Sequence, residues 1–185
     1  MAHNTEPLSV VFYGISGAGK GTQIELLRSK LKEMGDDRTV LHIETGALSR
    51  EFAKDAGHTQ EIVAKIMKEG GLFPAFLPIH LWANALIEKF TGDEHIFFDG
   101  VGRREYEVPV IDSALWFYGR GDYHVVSFVL SEETARARLQ NRSRADDTDE
   151  AAISHRFSWY RENVEPAIER FEKTGKTEAV GCPIA

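Results

Sequence analysis

The segment from Gly14 to Thr22 is the part of this sequence best suited to chemistry. It reads GISGAGKGT, follows an apolar run and opens an amphipathic stretch, as phosphate-binding G-x4-G-K loops do. Its glycines let backbone N–H groups curl around a phosphate chain, and the dipole of the following helix favours the same anion. We therefore expect Lys20 to reach the bound phosphates. A flexible turn between strand and helix is the alternative interpretation.

Arginine is the basic residue used over a long stretch in the middle and second half of the chain. No lysine occurs between Lys89 and Lys173, whereas ten arginines fall there. Arginine holds phosphate oxygens through two parallel hydrogen bonds, while lysine acts as a point charge. On composition alone, a solvated helix face explains the bias equally well. The ten are Arg103, Arg104, Arg120, Arg136, Arg138, Arg142, Arg144, Arg156, Arg161 and Arg170.

Composition limits the classes of function. The 185 residues are 42% hydrophobic and carry a formal net charge of -7. These values suit one folded domain and exclude both a disordered chain and a generally basic nucleic-acid binder. The single cysteine, Cys182, excludes an internal disulfide and a cysteine-based zinc cluster. The chain has no long apolar run and no signal-peptide pattern, so we expect a soluble, reduced, cytoplasmic protein.

Strands alternate with helices along the chain, which predicts a parallel sheet covered on both faces. Apolar runs predict strands over 8–13, 39–43, 96–99 and 125–130. Helical spacing predicts helices over 22–34 and around 46–56, 59–69, 79–90 and 105–118. A last helix is expected to start near Asp147 and to run past Trp159, with Pro166 bending or dividing it. Trp82, Trp116 and Trp159 fall on apolar helical faces and are predicted to be core residues.

Several motifs in order resemble those of the adenylate kinase family of nucleoside monophosphate kinases. The GKGTQ form of the phosphate loop, with glycine directly after Lys20 and a hydroxyl at Thr22, is similar to the loop of that family. ETGALSR at 44–50 resembles STGDxxR, and DGVGR at 99–103 resembles DGFPR. GGLFP at 70–74 resembles the segment that closes over the monophosphate. The resemblance extends over nearly the whole chain.

The resemblance implies an α/β fold, the three-layer P-loop NTPase fold with a central five-stranded parallel sheet. It implies reversible transfer of the γ-phosphoryl of Mg-ATP to a nucleoside monophosphate, preferably AMP, in nucleotide biosynthesis. The expected parts are a core (about 8–43, 91–135 and 147–185), a monophosphate-binding segment (about 44–90) and a very short lid (about 136–147). Nucleotides are the expected partners, without nucleic acid or membrane, and the chain is expected to be a monomer unless the lid needs a second subunit.

The resemblance also assigns roles to single residues. The catalytic set is Lys20, Arg103, Arg138, Arg144 and Arg156. The ATP-binding set is Gly14, Ser16, Gly17, Ala18, Gly19, Lys20, Gly21, Thr22, Arg138 and Arg142. The monophosphate-binding set is Thr45, Gly46, Arg50, Gly71, Phe73, Gly100, Arg103, Glu107, Arg144 and Arg156. Asp99 is expected near magnesium through water, with Thr22 as a second candidate. For each arginine, a surface salt bridge is the alternative.

The lid is the first departure from the family pattern. Only Ser143 separates Arg142 from Arg144, where relatives have several more residues. Lids exclude water and gather cations around the transferring group. We therefore expect weaker exclusion of water, or help from another subunit.

Glu107 is a second departure, because adenylate kinases have an adenine-reading glutamine at its place. An ionised carboxylate only accepts hydrogen bonds, so it suits the adjacent donors of guanine better than N1 of adenine. The alternative is that Glu107 points to solvent. Glu44, Ala47, Val101 and Gly102 differ from the pattern as well. Three readings therefore stay open beside an AMP kinase: a kinase for GMP, a kinase for a deoxynucleotide, and a nucleotide-binding sensor domain with little turnover.

Overall fold

The computed structural model describes residues 6–141 and 149–181. Helices flank a five-stranded sheet, which confirms the predicted fold class. The strands are β1 (Ser9–Gly14), β2 (Val40–Glu44), β3 (His95–Asp99), β4 (His124–Val129) and β5 (Thr177–Gly181). The helices are α1 (Lys20–Glu33), α2 (Thr45–Phe52), α3 (His58–Lys68), α4 (Phe76–Lys89), α5 (Val108–Phe117), α6 (Glu132–Gln140), α7 (Glu150–Trp159) and α8 (Glu165–Glu172). A 3₁₀ turn, Glu105–Glu107, precedes α5, and a π-helical turn, Tyr160–Val164, joins α7 to α8.

The sheet is parallel throughout, and its strand order is β2-β3-β1-β4-β5. The central strand β1 lies between β3 and β4, so the loops that follow β1 and β3 diverge at this point of the sheet. Asp99 at the end of β3 pairs with Phe12 on one side and with Glu44 on the other. The carboxyl ends of β1, β2 and β3 therefore meet at one edge, where folds of this kind bind ligands.

Two apolar clusters cover the two faces of the sheet, and β1 contributes to both. Val11 and Tyr13 belong to one cluster, while Val10 and Phe12 belong to the other. This alternation explains why the strand reads as an uninterrupted apolar run, as expected for a parallel sheet buried on both sides. A smaller cluster around Phe73 stabilises the segment between β2 and β3. No helix in the described part of the chain is long and apolar enough to cross a membrane.

The end of the chain differs in detail from the sequence prediction. Helix α7 begins at Glu150, and the side chain of Asp149 caps it by accepting from the N–H of Ala151 at 2.9 Å. Asp147, where we expected the start, lies outside the described residues. Pro166 stands in the first turn of α8, where its missing N–H costs no helical hydrogen bond. Residues 150–172 are helical without interruption, so Pro166 does not divide the helix, and a π-helical turn lies directly before the turn that contains the proline.

Two elements and one core residue were not predicted correctly. Helix α6 and the position of β5 were not identified, because α6 buries only Ala135 and Leu139 and β5 is an exposed edge strand. Trp82 is a core residue as predicted, but Trp116 is 80% exposed. The prediction that Trp116 packs in the core is therefore wrong. The apolar face of α5 turns other side chains inward, among them Ile111 and Leu115.

Candidate active site

A cleft of about 1040 Å³ opens at the carboxyl edge of the sheet, between the loops that follow β1, β2 and β3. Every predicted site residue in the described part of the chain lines this cleft, except Ala18. Ala18 is itself a residue of the phosphate loop and is fully buried. Arg142 and Arg144 lie outside the described residues, as does half of the predicted lid (142–147). The structure thus brings together both predicted nucleotide sites in one continuous space.

The phosphate loop takes its shape from glycine. Gly17 has φ +90, and a Cβ there would lie 2.7 Å from the carbonyl oxygen of Ala135 on α6. The loop consequently needs glycine both for its left-handed backbone and for its close approach to α6. Helix α1 begins at Lys20, whose Nζ donates to the carbonyl oxygen of Gly14 at 2.8 Å. The first turn of α1 carries no acidic residue, so its N-terminal amides present an uncompensated positive end to the cleft.

Two arginines approach the cleft from helices outside the loop. Arg138 lies on α6, with its NH1 atom 3.8 Å from the position that a Cβ on Gly19 would take. Arg156 lies on α7, and it lines the same cleft. These two cations therefore line the same cleft from separate elements.

Arg103 is held beneath the cleft by contacts on two sides. Its Nε donates to the carbonyl oxygen of Gly100 at 2.9 Å, and its guanidinium lies 5.3 Å from the ring centre of Trp159. Burial lowers the pKa of Arg103, while the carboxylates of Asp99 and Glu107 act in the opposite direction. Arginine keeps its proton in proteins despite such shifts. Arg103 is therefore a positioned positive charge at the end of β3.

The backbone conformation at Gly102 is one that the proline of the family's 99–103 motif cannot take. Gly102 has φ +70, and a Cβ there would collide with Cδ1 of Ile111. The hydroxyl of Tyr13 donates to the carbonyl oxygen of Gly102 at 2.7 Å, which fixes this conformation. Proline is restricted to φ near -65°, so it cannot take this position. Val101 beside it is fully buried.

Glu107 is an inward-facing residue of the site. Its side chain is 1% exposed, so the alternative that it points to solvent is wrong. Oε2 accepts from the backbone N–H of Arg103 at 3.0 Å, and Oε1 accepts from NH1 of Arg104 at 3.2 Å. Burial raises the pKa of Glu107, although these two hydrogen bonds oppose the shift. The carboxylate of Glu107 and the guanidinium of Arg104 therefore form an ion pair in the wall of the cleft.

The loop after β2 is held against the loop after β3. The hydroxyl of Thr45 donates to the carbonyl oxygen of Gly100 at 2.7 Å, and the side chain of Thr45 is buried. Arg50, one helical turn further on, donates from NH2 to Oε1 of Glu44 at 2.8 Å. Ala47 is exposed. The two loops that are predicted to hold the monophosphate therefore form one connected wall.

The 70–73 segment closes the cleft from the opposite side. Gly71 and Phe73 line it, and Phe73 packs in the cluster formed with Val63 and Leu77. The indole Nε1 of Trp159 donates to the carbonyl oxygen of Gly70 at 2.8 Å. This hydrogen bond joins the end of α3 to the end of α7. Trp159 thus contacts both this segment and Arg103, which places it between two walls of the site.

Comparison with known proteins identifies the family. The family model for adenylate kinase matches residues 12–176. The chain belongs to the adenylate kinase family. It is 34% identical over 176 residues to the adenylate kinase of Mycolicibacterium smegmatis, an alignment that covers 95% of this chain and 92% of that protein. It is also 30% identical over 193 residues to the uridylate kinase of Saccharomyces cerevisiae, covering 98% of this chain and 86% of that one. The protein is therefore an ATP-dependent nucleoside monophosphate kinase.

Arg104 and Trp159 are two of the cleft-lining residues of this kinase that were not among the predicted site residues. Arg104 lines the cleft beside Glu107, and its position directly after Arg103 was a signal for it. Trp159 was predicted to be a core residue, yet it lines the cleft. It stands three residues after Arg156 on α7, and residues at that spacing share a helix face. The spacing of Trp159 from Arg156 could therefore have predicted that Trp159 faces the site.

The side chains suit a magnesium ion that is held through nucleotide phosphates and water. In residues 6–141 and 149–181, no group of three His, Cys, Asp or Glu side chains could hold a metal by itself. Asp99 and Thr22 line the cleft and offer the oxygen ligands that magnesium prefers. Oδ2 of Asp99 lies 4.0 Å from Nε2 of His42, a buried nitrogen without a hydrogen-bond partner in the described structure. This set fits a hydrated ion and does not fit a fully protein-ligated one.

Proposed function

We propose that this kinase transfers the γ-phosphoryl of Mg-ATP to AMP and releases two ADP. The observation that carries the proposal is the shared cleft, which Lys20 lines from the phosphate loop and Arg103 lines from the end of β3. Phosphoryl transfer between nucleotides requires alignment of two phosphate groups and neutralisation of their charge, with little proton chemistry. A cleft with cations at both ends meets that requirement.

The donor nucleotide is assigned to the phosphate loop. Its glycines and the first turn of α1 supply N–H groups to the β- and γ-phosphates, and Lys20 adds a positive charge. Arg138 lies next to Gly19 and is assigned to the phosphoryl group in transfer, together with Arg156 from α7. By resemblance alone, Arg144 is assigned to the same charge and Arg142 to the bound ATP. Positive groups that are oriented before the reaction stabilise the transition state without reorganising.

The acceptor is assigned to the loops after β2 and β3. Arg50 and Arg103 would hold the phosphate of AMP, and Thr45 would lie against the base. Gly71 and Phe73 would close the pocket from the other side. Magnesium, when bound, supplies neutralisation of charge between the donor phosphates, with Asp99 holding its water ligands and Thr22 offering a hydroxyl oxygen. The contacts within this chain already hold Arg103 and Thr45 in fixed positions.

GMP is the second candidate acceptor, and Glu107 is the observation that favours it. The carboxylate is buried and accepts from two neighbours in this chain, so an ionised Glu107 can offer a base only acceptor capacity. Guanine N1–H and its amino group are adjacent donors, whereas adenine N1 is an acceptor. An unmatched lone pair of this kind costs about 1–3 kcal/mol. Arg104 beside it can donate to O6 of guanine or to N1 of adenine.

A panel of monophosphates with ATP and magnesium tests the proposal. The measurement is kcat/KM for AMP, GMP, CMP, UMP and dAMP in a coupled assay for diphosphate formation. We expect AMP to give the highest value. A higher value for GMP overturns the base assignment and supports a guanine site at Glu107. If nucleotides bind but none of the five monophosphates is phosphorylated, the kinase assignment is overturned and a sensor domain is supported. Cytoplasmic location and a monomeric state stay predictions.

A further inference from the structure

The acceptor side of the cleft contains an anion that belongs to the protein itself. Glu44 is the last residue of β2, and its Oε1 accepts from NH2 of Arg50 at 2.8 Å. Both residues line the cleft, and their side chains are 29% and 34% exposed. An ion pair that is partly shielded from water is stronger than one on an open surface. Arg50 therefore has a carboxylate partner at the place assigned to the acceptor phosphate.

Glu44 acts on the second acceptor arginine as well. Burial lowers the pKa of Arg103, and the carboxylate of Glu44 is one of the groups that oppose this shift. One internal carboxylate thus offsets part of the positive charge of Arg50 and of Arg103 together. The family pattern has a small polar residue at this place and an acid three positions later, where this chain has Ala47, so the carboxylate of the motif occupies a different position in this chain.

We propose that Glu44 is an internal competitor for Arg50 and thereby sets the affinity of the acceptor site for a phosphate group. This inference rests on the proposed function. A monophosphate that binds Arg50 either displaces the Glu44 carboxylate from NH2 or stays close to it, and both outcomes weaken binding of the dianion. The donor site is on the other side of the cleft and is unaffected. Glu44 thus lowers the affinity of the acceptor site for the monophosphate and, by the same repulsion, eases release of the diphosphate product.

A purely structural role predicts the opposite effect. If Glu44 only held Arg50 in its binding orientation, its removal would release the guanidinium and weaken binding of the phosphate. The competitor role predicts stronger binding on removal of the charge. Because the two roles differ in sign, a conservative substitution distinguishes them.

The test compares Glu44→Gln with Glu51→Gln. Glutamine keeps the size of the side chain and removes its charge. Glu51 is the matched control, since it lies on α2 and pairs with Lys54 on the exposed surface. Calorimetric titration without ATP gives the Kd of AMP and of adenosine for each variant, with GMP and guanosine as the pair if the panel favours guanine. We expect Glu44→Gln to bind the monophosphate about tenfold more tightly and the nucleoside unchanged. Glu51→Gln should match the wild type for both.

A double variant shows whether the effect acts through the arginine. In the Arg50→Gln background, Glu44→Gln should lose the part of its advantage that comes from competition for Arg50 and keep only the part that acts through Arg103. Weaker binding of the monophosphate by Glu44→Gln overturns the proposal, and so does an equal change for monophosphate and nucleoside. Thermal unfolding of each variant verifies that the fold is intact.

Binding without ATP keeps this inference separable from the proposed function. If the panel shows no turnover while Glu44→Gln still tightens monophosphate binding, the proposed reaction fails and the competitor role stands. If turnover occurs and Glu44→Gln leaves the Kd unchanged, the proposed reaction stands and the competitor role fails.

Discussion

The donor and acceptor halves of the cleft use different means to hold a phosphate. In the donor half, a glycine-rich loop and the start of α1 present backbone N–H groups, and Nζ of Lys20 donates a hydrogen bond to the carbonyl oxygen of Gly14. In the acceptor half, the cations are arginines, and two of them pair with carboxylates of the same chain. Arg50 pairs with Glu44, and Arg104 pairs with Glu107. The donor half depends on backbone shape, whereas the acceptor half depends on a balance of charges.

This difference has a consequence for substrate choice. A glycine loop with an N-terminal helix dipole recognises phosphate in general, and its affinity is fixed by the backbone. A wall of paired charges can change its affinity or its base preference through a single side chain. Substitutions in the acceptor half should therefore alter specificity, while those in the donor half should abolish turnover.

The largest effect is expected for Lys20→Met in the donor half. Loss of the ammonium charge should lower kcat/KM about 10³-fold, because the charge acts on the transferring phosphoryl group. Binding of AMP without ATP should stay within about twofold of wild type. Lys30→Met is the control, since Lys30 is an exposed residue of α1 that pairs with Glu33. A similar loss in AMP binding would contradict the separation of the two halves.

A smaller effect on base choice is expected for Glu107→Gln. Glutamine can donate to N1 of adenine, so the ratio of kcat/KM for AMP to that for GMP should rise about tenfold. Glu105→Gln is the control, because Glu105 stands exposed in the same 3₁₀ turn and pairs with Arg170. An unchanged ratio would show that Glu107 only positions its arginine neighbours.

The same ratio should depend on pH in the wild type. Burial raises the pKa of Glu107. As the pH falls, the Glu107 carboxylate is therefore protonated before an exposed glutamate would be. The protonated group gains an O–H donor for N1 of adenine. The ratio of AMP to GMP activity should therefore rise as the pH falls, and the Glu107→Gln variant should show no such change. A pH profile of both enzymes measures it.

The smallest effect is expected for Trp159→Phe. The substitution removes the hydrogen bond to the carbonyl oxygen of Gly70 but keeps an aromatic ring beside Arg103. Loss of one such bond should raise KM for the monophosphate roughly fivefold and leave kcat within about twofold. Trp116→Phe is the control, because Trp116 is 80% exposed. A larger fall in kcat than rise in KM would place Trp159 closer to the reacting groups than the geometry indicates.

The sequence predicted four of the five strands, including the edge strand β2, and missed helix α6 and strand β5. Strand β1 and helix α1 were recognisable because a buried parallel strand is continuously apolar and a glycine loop follows it. Helix α6 and strand β5 lack such a pattern. β5 has four exposed residues of five, so nothing in its composition distinguishes it from a loop. It becomes a strand through its parallel pairing with β4.

The sequence predicted most of the site residues but not their pairing. Motif spacing identified Lys20, Arg50 and Arg103, because each follows a strand that ends at the same edge of the sheet. The ion pair of Arg50 with Glu44 depends on side-chain orientation after folding, which no motif encodes. Burial of Glu107 also depends on tertiary packing, which explains why two orientations stayed open at the level of sequence.

A product count tests phosphoryl transfer between two nucleotides most directly. Purified enzyme is incubated with Mg-ATP and AMP, and ADP and inorganic phosphate are quantified by ³¹P nuclear magnetic resonance. The account predicts two ADP for each ATP consumed when AMP is present. It also predicts slow release of inorganic phosphate when AMP is omitted, because of the short lid. One ADP and one inorganic phosphate for each ATP consumed in the presence of AMP would contradict it.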